Sequence, residues 1–181
     1  MTEKDVKSAD NAGGNNSAAK ETGKKPAVSA FDAAVKYLSV APRSEKEVRD
    51  KLYKKGYRKS EVEDALARAK GYRYIDDERY ARDFAEYYGA KIGRKKVEYK
   101  LVFEKGVSAE IARAAIDDGI SDEDEREKAL TAARKYVAAK RITERKDLGK
   151  VGAHLYRNGF ERGMIDGVLD EIARNLAGDD F

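Results

Sequence analysis

Between residues 91 and 105 the chain places six cations, Lys91, Arg94, Lys95, Lys96, Lys100 and Lys105, against only Glu98 and Glu104. Ammonium and guanidinium groups at this density can neutralise phosphates or face an acidic protein wall. Lys96 and Lys100 stand at i and i+4, so on a helix they project from one face. A second basic group, Arg49, Lys51, Lys54, Lys55, Arg58 and Lys59, flanks Gly56. Glycine turns between two helices also frame helix-turn-helix units. The helix after this one, however, opens with Glu61, Glu63 and Asp64, which would repel phosphates. A backbone or partner contact, or a complement to the helix dipole, therefore fits better than reading of a major groove.

Other chemistry-bearing residues have structural readings. Asp76-Asp77 could be a paired-carboxylate site, but Asp at a helix start accepts backbone N–H groups and meets the positive end of the dipole. The acidic run from Ser121 to Glu127 reads the same way, with Ser121 or Asp122 as the cap. His154, the single histidine, has no nucleophile or acid at a useful spacing and is expected to be packed. Tyr80, Phe84 and Tyr88 form an i, i+4, i+8 stripe that belongs in a core, whereas Tyr87 lies off it and is free to stack on a partner. The chain has no cysteine, and phosphate loops, nucleophile elbows and metal-ligand spacings are absent. No catalytic residue, metal or cofactor is expected.

The elements that would hold these residues are helical. Charged residues make up 40% and apolar residues 41% of the chain, a balance that suits helices with one buried stripe. With 38 basic and 34 acidic side chains the net charge is only +4, too little for bulk attraction to polyanions, so nucleic-acid contact must come from local clusters. No apolar run reaches the roughly 20 residues that span a bilayer, and the first residues lack a signal-peptide core. A cytoplasmic protein without membrane contact is the expectation. Residues 1–28 are polar and have little to bury, which reads as a disordered tail.

Helical periodicity starts with Phe31, Val35 and Leu38 on one face. Ser44 with Glu47 and Ser60 with Glu63 read as capping boxes, which starts helices at about 44 and 60. Gly56 after Lys54-Lys55 reads as a helix stop. The same stop recurs at Gly106 and Gly159, 50 and 53 residues further along. Leu52, Val102 and Leu155 stand four residues before these glycines, and Tyr53, Phe103 and Tyr156 three before. One template thus describes three units, 29–71, 72–120 and 121–177, with first helices at Ala30 to Ser39, Asp77 to Lys91 and Asp122 to Arg141. The expected fold is all-α: an elongated tandem array of three three-helix repeats.

Three segments, LSVAPRSEKEVRDKLYKKG at 38–56, GYRYIDDERYARDF at 71–84 and IGRKKVEYKLVFEKGV at 92–107, resemble the RecX family of bacterial recombination regulators. The likeness runs over about residues 30–175. It departs from the family pattern at Val40-Ala41-Pro42, and the stretch from Gly93 to Lys105-Gly106 is one residue longer than that pattern. The resemblance implies a monomeric, non-enzymatic protein that lodges in the groove of the RecA–DNA filament. There it would inhibit the recombinase, ATPase and coprotease activities, restraining recombinational repair and the SOS response, with DNA met weakly or through RecA. Lys91, Arg94, Lys95, Lys96, Lys100, Arg49, Lys54, Lys55 and Arg58 are the candidate binding surface. The alternatives are a helical DNA-binding protein of transcription or nucleoid type acting without RecA, and a scaffold with an unrelated partner.

Overall fold

The computed structural model describes residues 27–178, and the tail assigned to residues 1–28 lies, as far as residue 26, outside the described residues. Among the described residues the chain is all-helical and forms three consecutive triplets. The first comprises α1 (Ala30–Leu38), α2 (Glu45–Lys54) and α3 (Lys59–Gly71). The second comprises α4 (Asp77–Gly89), α5 (Arg94–Tyr99), which runs on into a π-turn at Lys100–Glu104, and α6 (Ala109–Gly119). The third comprises α7 (Asp122–Lys140), α8 (Leu148–Arg157), preceded by a 3-10 turn at Arg145–Asp147, and α9 (Arg162–Gly178). The most extensive helix pairings all fall within a triplet, and each triplet has its own apolar core. The chain is thus a tandem array of three-helix repeats.

The cores are built largely from alanine on the first helices. Ala33 and Ala34 of α1, Ala81 and Ala85 of α4, and Ala129 and Ala133 of α7 are all buried. Small side chains there let the other two helices approach closely. Phe31, Val35 and Leu38, expected as the stripe of α1, flank this alanine seam and are only half-buried. The middle helices supply the larger wedge residues, Val48 and Leu52, Val97 and Leu101, and Val151 and Leu155, all at 1% exposure or less.

Val102 therefore does not take the place expected for it. Leu101 is the equivalent of Leu52 and Leu155, and Val102 is an inserted residue that is half-buried at the core's edge. The insertion is absorbed by the π-turn, in which Lys105 N–H donates to Lys100 O at 2.9 Å, five residues back. A π-bulge adds one residue without breaking the helix. Beyond it the geometry of the three repeats coincides again. Tyr57 N–H reaches Leu52 O (3.3 Å), Phe160 N–H reaches Leu155 O (3.3 Å), and Val107 N–H reaches Leu101 O (3.0 Å). The left-handed residue closing each turn is Gly56 (φ +86°), Gly106 (φ +70°) or Gly159 (φ +86°), a conformation that costs other residues a Cβ clash.

The third helices start three residues after these glycines, with the cap two residues after. In repeat one this makes Arg58 the cap, with its N–H donating to Glu61 Oε2 at 2.9 Å, so Ser60 is already helical and the expected Ser60–Glu63 box is not formed. The turn geometry decides: Tyr57, the residue after Gly56, is buried, and the helix can begin only beyond it. In repeat two the matching position is a serine, and Ser108 Oγ accepts from Ile111 N–H at 3.2 Å.

Candidate functional site

The repeats are joined by one contact used twice. At the first joint, the start of α2 docks on the end of the second repeat's middle helix. Ser44 is wholly buried; its Oγ donates to Lys105 O at 2.7 Å and accepts from Glu47 N–H at 3.3 Å. Lys46 Nζ donates to Glu104 O at 3.3 Å, and its aliphatic stem covers Gly106. Lys105 Nζ returns the contact, 2.8 Å from Glu47 Oε1. At the second joint, Gly93 N–H donates to Asn158 O (2.9 Å) and Lys95 N–H to Gly159 O (3.2 Å), while Lys96 Nζ donates to Arg157 O at 3.0 Å. The last carbonyls of a helix lack intrahelical partners and carry its negative dipole end, so a helix N-terminus with a lysine beside it satisfies them.

A carboxylate of the following repeat's first helix completes each joint. Asp77 Oδ1 accepts from Glu45 N–H at 2.9 Å, and Glu125 Oε1 accepts from Arg94 N–H at 2.8 Å. Both acids stand four residues before a buried alanine, Ala81 or Ala129. Asp76 caps α4 as expected, accepting from Arg79 N–H at 2.9 Å, and Ser121 caps α7. Asp77 thus serves the neighbouring repeat. Burial pushes its carboxyl up, against the effect of the Glu45 N–H bond. Burial also pushes Glu47 up, but Lys105 and the Ser44 amide outweigh it and hold the carboxyl below its ordinary range.

These joints absorb part of the basic surface. Arg94 is drawn inward, with its guanidinium 2.9 Å from Asp122 and 3.3 Å from the buried Glu125 and bonded to Ile120 O. Lys96 is spent on the second joint. Arg49 bridges Glu45 (2.5 Å) and Glu63 (3.4 Å). Lys95 lies 3.4 Å from Glu161, with both partners well exposed, and Lys100 lies 3.1 Å from Glu104. Lys91 sits 3.5 Å over the exposed Tyr87 ring, and its ammonium, as hydrogen-bond donor and as charge, lowers the Tyr87 phenol. Lys54, Lys55 and Arg58 are exposed around the Gly56 turn. The structure therefore brings Lys91, Lys95 and Lys100 to the surface of repeat two, and Lys54, Lys55 and Arg58 to the surface of repeat one, as two separate groups on the chain.

Sequence periodicity missed the exposed aromatics beside them. The rings of Tyr99 and Phe103 meet at 5.0 Å in a tilted arrangement, with 56% and 68% of their surfaces open. Tyr53 and Tyr156 are open at the positions matching Phe103, so each repeat has an exposed ring three residues before its glycine. A further patch joins Tyr72 to Tyr74 (5.6 Å) and Phe31 (5.9 Å), with Arg68 3.9 Å over Phe31. By contrast His154 is packed: it stacks on Tyr136 at 4.3 Å, lies 3.0 Å from Asn158, and burial pushes its pKa down.

Among the described residues no cluster of three or more potential metal ligands exists, and no helix is long and apolar enough to cross a membrane. Together the helical elements define a tandem three-helix-repeat protein. A family model for the first three-helix domain of RecX matches residues 30–68. The chain is 33% identical to the regulatory protein RecX of Clostridium botulinum (strain Alaska E43 / Type E3), over 83% of this chain and 69% of that one. It is 32% identical to that of Chlorobium phaeobacteroides (strain BS1), over 81% and 95%. The crystal structure of RecX from Lactobacillus salivarius superposes with a TM-score of 0.69 at 26% identity, over 78% of this chain and 93% of that one. The chain belongs to the RecX family of regulatory proteins. Some relatives are much longer, and it spans about half of the one from Bacillus licheniformis.

Proposed function

We propose that this protein binds the RecA–DNA filament as a cytoplasmic monomer and inhibits the recombinase, ATPase and coprotease activities of RecA, without catalysis or a cofactor of its own. In this reading it restrains recombinational repair and the SOS response. The observation that carries the reading is membership of the RecX family joined to an array of three repeats, here placed at 29–71, 72–120 and 121–177. Such an array can follow a helical groove because each repeat contacts only its neighbours.

Lys91, Lys95 and Lys100 of repeat two and Lys54, Lys55 and Arg58 of repeat one make the contact surface, helped by the open rings of Tyr99 and Phe103. Arg49, Arg94 and Lys96 act by holding the repeats and helices in place. The experiment is RecA's single-stranded-DNA-dependent ATP hydrolysis with and without the protein at physiological salt. Inhibition at substoichiometric to equimolar ratio is expected. An unchanged rate, with tight sequence-selective binding to duplex DNA instead, sinks the reading and favours a DNA-binding protein that acts without RecA.

A further inference from the structure

Of the three glycine turns that end the middle helices, two are filled. Gly106 is covered by the Lys46 stem, and Gly159 by the Lys96 Cβ and backbone, so closely that a methyl group at either would overlap them. In both cases the plug is the first turn of the preceding repeat's middle helix. Gly56 has the same left-handed conformation, at φ +86°, but among the described residues no repeat precedes its own. Among the described residues nothing approaches within 4 Å of where its Cβ would be.

We propose that the Gly56 turn is a docking socket for an acidic helix N-terminus of a partner protein. The chain itself twice seats a helix N-terminus in a turn of this shape, the acidic first turn of α2 at Gly106 and the first turn of α5, which has no acid, at Gly159. The charge follows from Lys55, which holds the place that Lys105 holds in the filled socket, where it pairs with Glu47, the third residue of the plug helix. Lys54, Lys55 and Lys59 are exposed around the turn, and Lys55 has no ion pair among the described residues. An acidic first turn meets both these cations and its own helix dipole. The plug must also cap itself. The carboxylate that caps the incoming helix elsewhere, Asp77 or Glu125, stands four residues before Ala81 or Ala129, and the matching position before Ala30 is Pro26.

A second copy of this chain fits less well. Its available plug would be the first turn of α8, which carries no acidic residue to meet Lys55; the first turn of α5, which also carries none, seats beside the uncharged Asn158. The 3-10 turn Arg145–Asp147 runs directly into that helix, and Asp147 holds Lys150 at 2.7 Å. Among the described residues the socket end of the array is open.

The test uses the chain's own plug as probe. An acetylated synthetic copy of residues 42–54, kept helical by a lactam between Asp50 and Lys54, is titrated at millimolar concentration into the isotope-labelled full chain. Saturable amide shifts confined to Lys54 through Tyr57 are expected. The double variant Lys54→Glu/Lys55→Glu should weaken them by about tenfold, since each reversal turns attraction into repulsion. Gly56→Asn, which tolerates the left-handed backbone but puts a side chain in the seat, should abolish them with the thermal melt nearly unchanged. Absence of shifts at this turn overturns the proposal, as does their survival in both variants. Two further results also overturn it. One is self-association of the unliganded chain that Gly56→Asn removes, which makes a second copy the occupant. The other is tighter shifts of the same amides by a DNA oligonucleotide than by the peptide, which makes these lysines a phosphate contact.

Discussion

Ser44 Oγ donates to the Lys105 carbonyl across the joint between the first two repeats, at 2.7 Å, while the same oxygen accepts from Glu47 N–H and caps α2. One hydroxyl therefore starts a helix in one repeat and ends a helix in the next. Removing it leaves two buried groups without partners at once.

Ser44→Ala should accordingly cost about 2 kcal/mol, the sum of a lost cap and an orphaned carbonyl. The urea midpoint should fall at unchanged slope if the repeats still unfold together. A loss no larger than that of an exposed serine, under about 0.5 kcal/mol, would show that water satisfies Lys105 O and that the joint does not depend on Ser44.

The π-turn sets up a contrast between neighbouring residues. Leu101→Ala should cost about 2 to 5 kcal/mol, because it empties a fully buried site, whereas Val102→Ala should cost under about 1.5 kcal/mol. Deleting Val102 altogether restores the Leu-aromatic-x-x-Gly spacing of Leu52 to Gly56 and Leu155 to Gly159. The deletion variant should fold with a melting temperature close to the parent's. Equal losses at Leu101 and Val102, or failure of the deletion variant to fold, would rule out the insertion.

Much of this fold was legible in the sequence because the glycine stops and their apolar neighbours repeat. The glycine spacing gave the number of repeats, and the caps at Ser44, Asp76 and Ser121 follow from side-chain chemistry. Val102 was misplaced because a spacing counted back from Gly106 presumes a regular helix, and only backbone hydrogen bonds reveal the extra residue. The excess length between Gly93 and Gly106 was its trace. In sequence Asp77 reads as part of the cap of its own helix and Glu125 as one of the acidic run at the next helix start, because capping of another repeat's helix is a tertiary event. Their shared offset from Ala81 and Ala129 was the available signal. The basic clusters were visible as charge, but which cations are engaged, such as Arg94 with Glu125, depends on packing between repeats.

The first joint should be sensitive to acid through Glu47. Its folded pKa lies below the ordinary carboxylate range, because Lys105 and the Ser44 amide outweigh burial. Its contribution to stability is therefore present above the unfolded value of about 4.3 and is lost as pH falls through the lowered folded value. Glu47→Gln should be less stable than the parent at neutral pH, with the gap closing in acid. Urea midpoints measured from pH 7 down to about pH 3 check this. A gap that stays constant with pH would mean that Glu47 contributes by shape and hydrogen bonding alone.

Surface and joint can be separated within repeat two. Lys96 is bonded to Arg157 O and covers Gly159, so Lys96→Glu should lower the melting temperature by loosening the second joint. Lys91, Lys95 and Lys100 do no such work. Lys95 and Lys100 make only peripheral pairs with Glu161 and Glu104, worth about 0 to 1 kcal/mol each, and Lys91 lies over an exposed ring. Reversing these three to glutamate while keeping Lys96 should leave helical content unchanged and the melt close to the parent's. The three reversals act together against an acidic wall or a row of phosphates, so inhibition of RecA's ATP hydrolysis should be lost in this folded variant. If the folded triple variant inhibits as well as the parent, these lysines are solvated surface and the contact lies elsewhere. The cations around Gly56 would then be the next to reverse, because they sit in a different repeat and their contribution would be untouched by the first three changes.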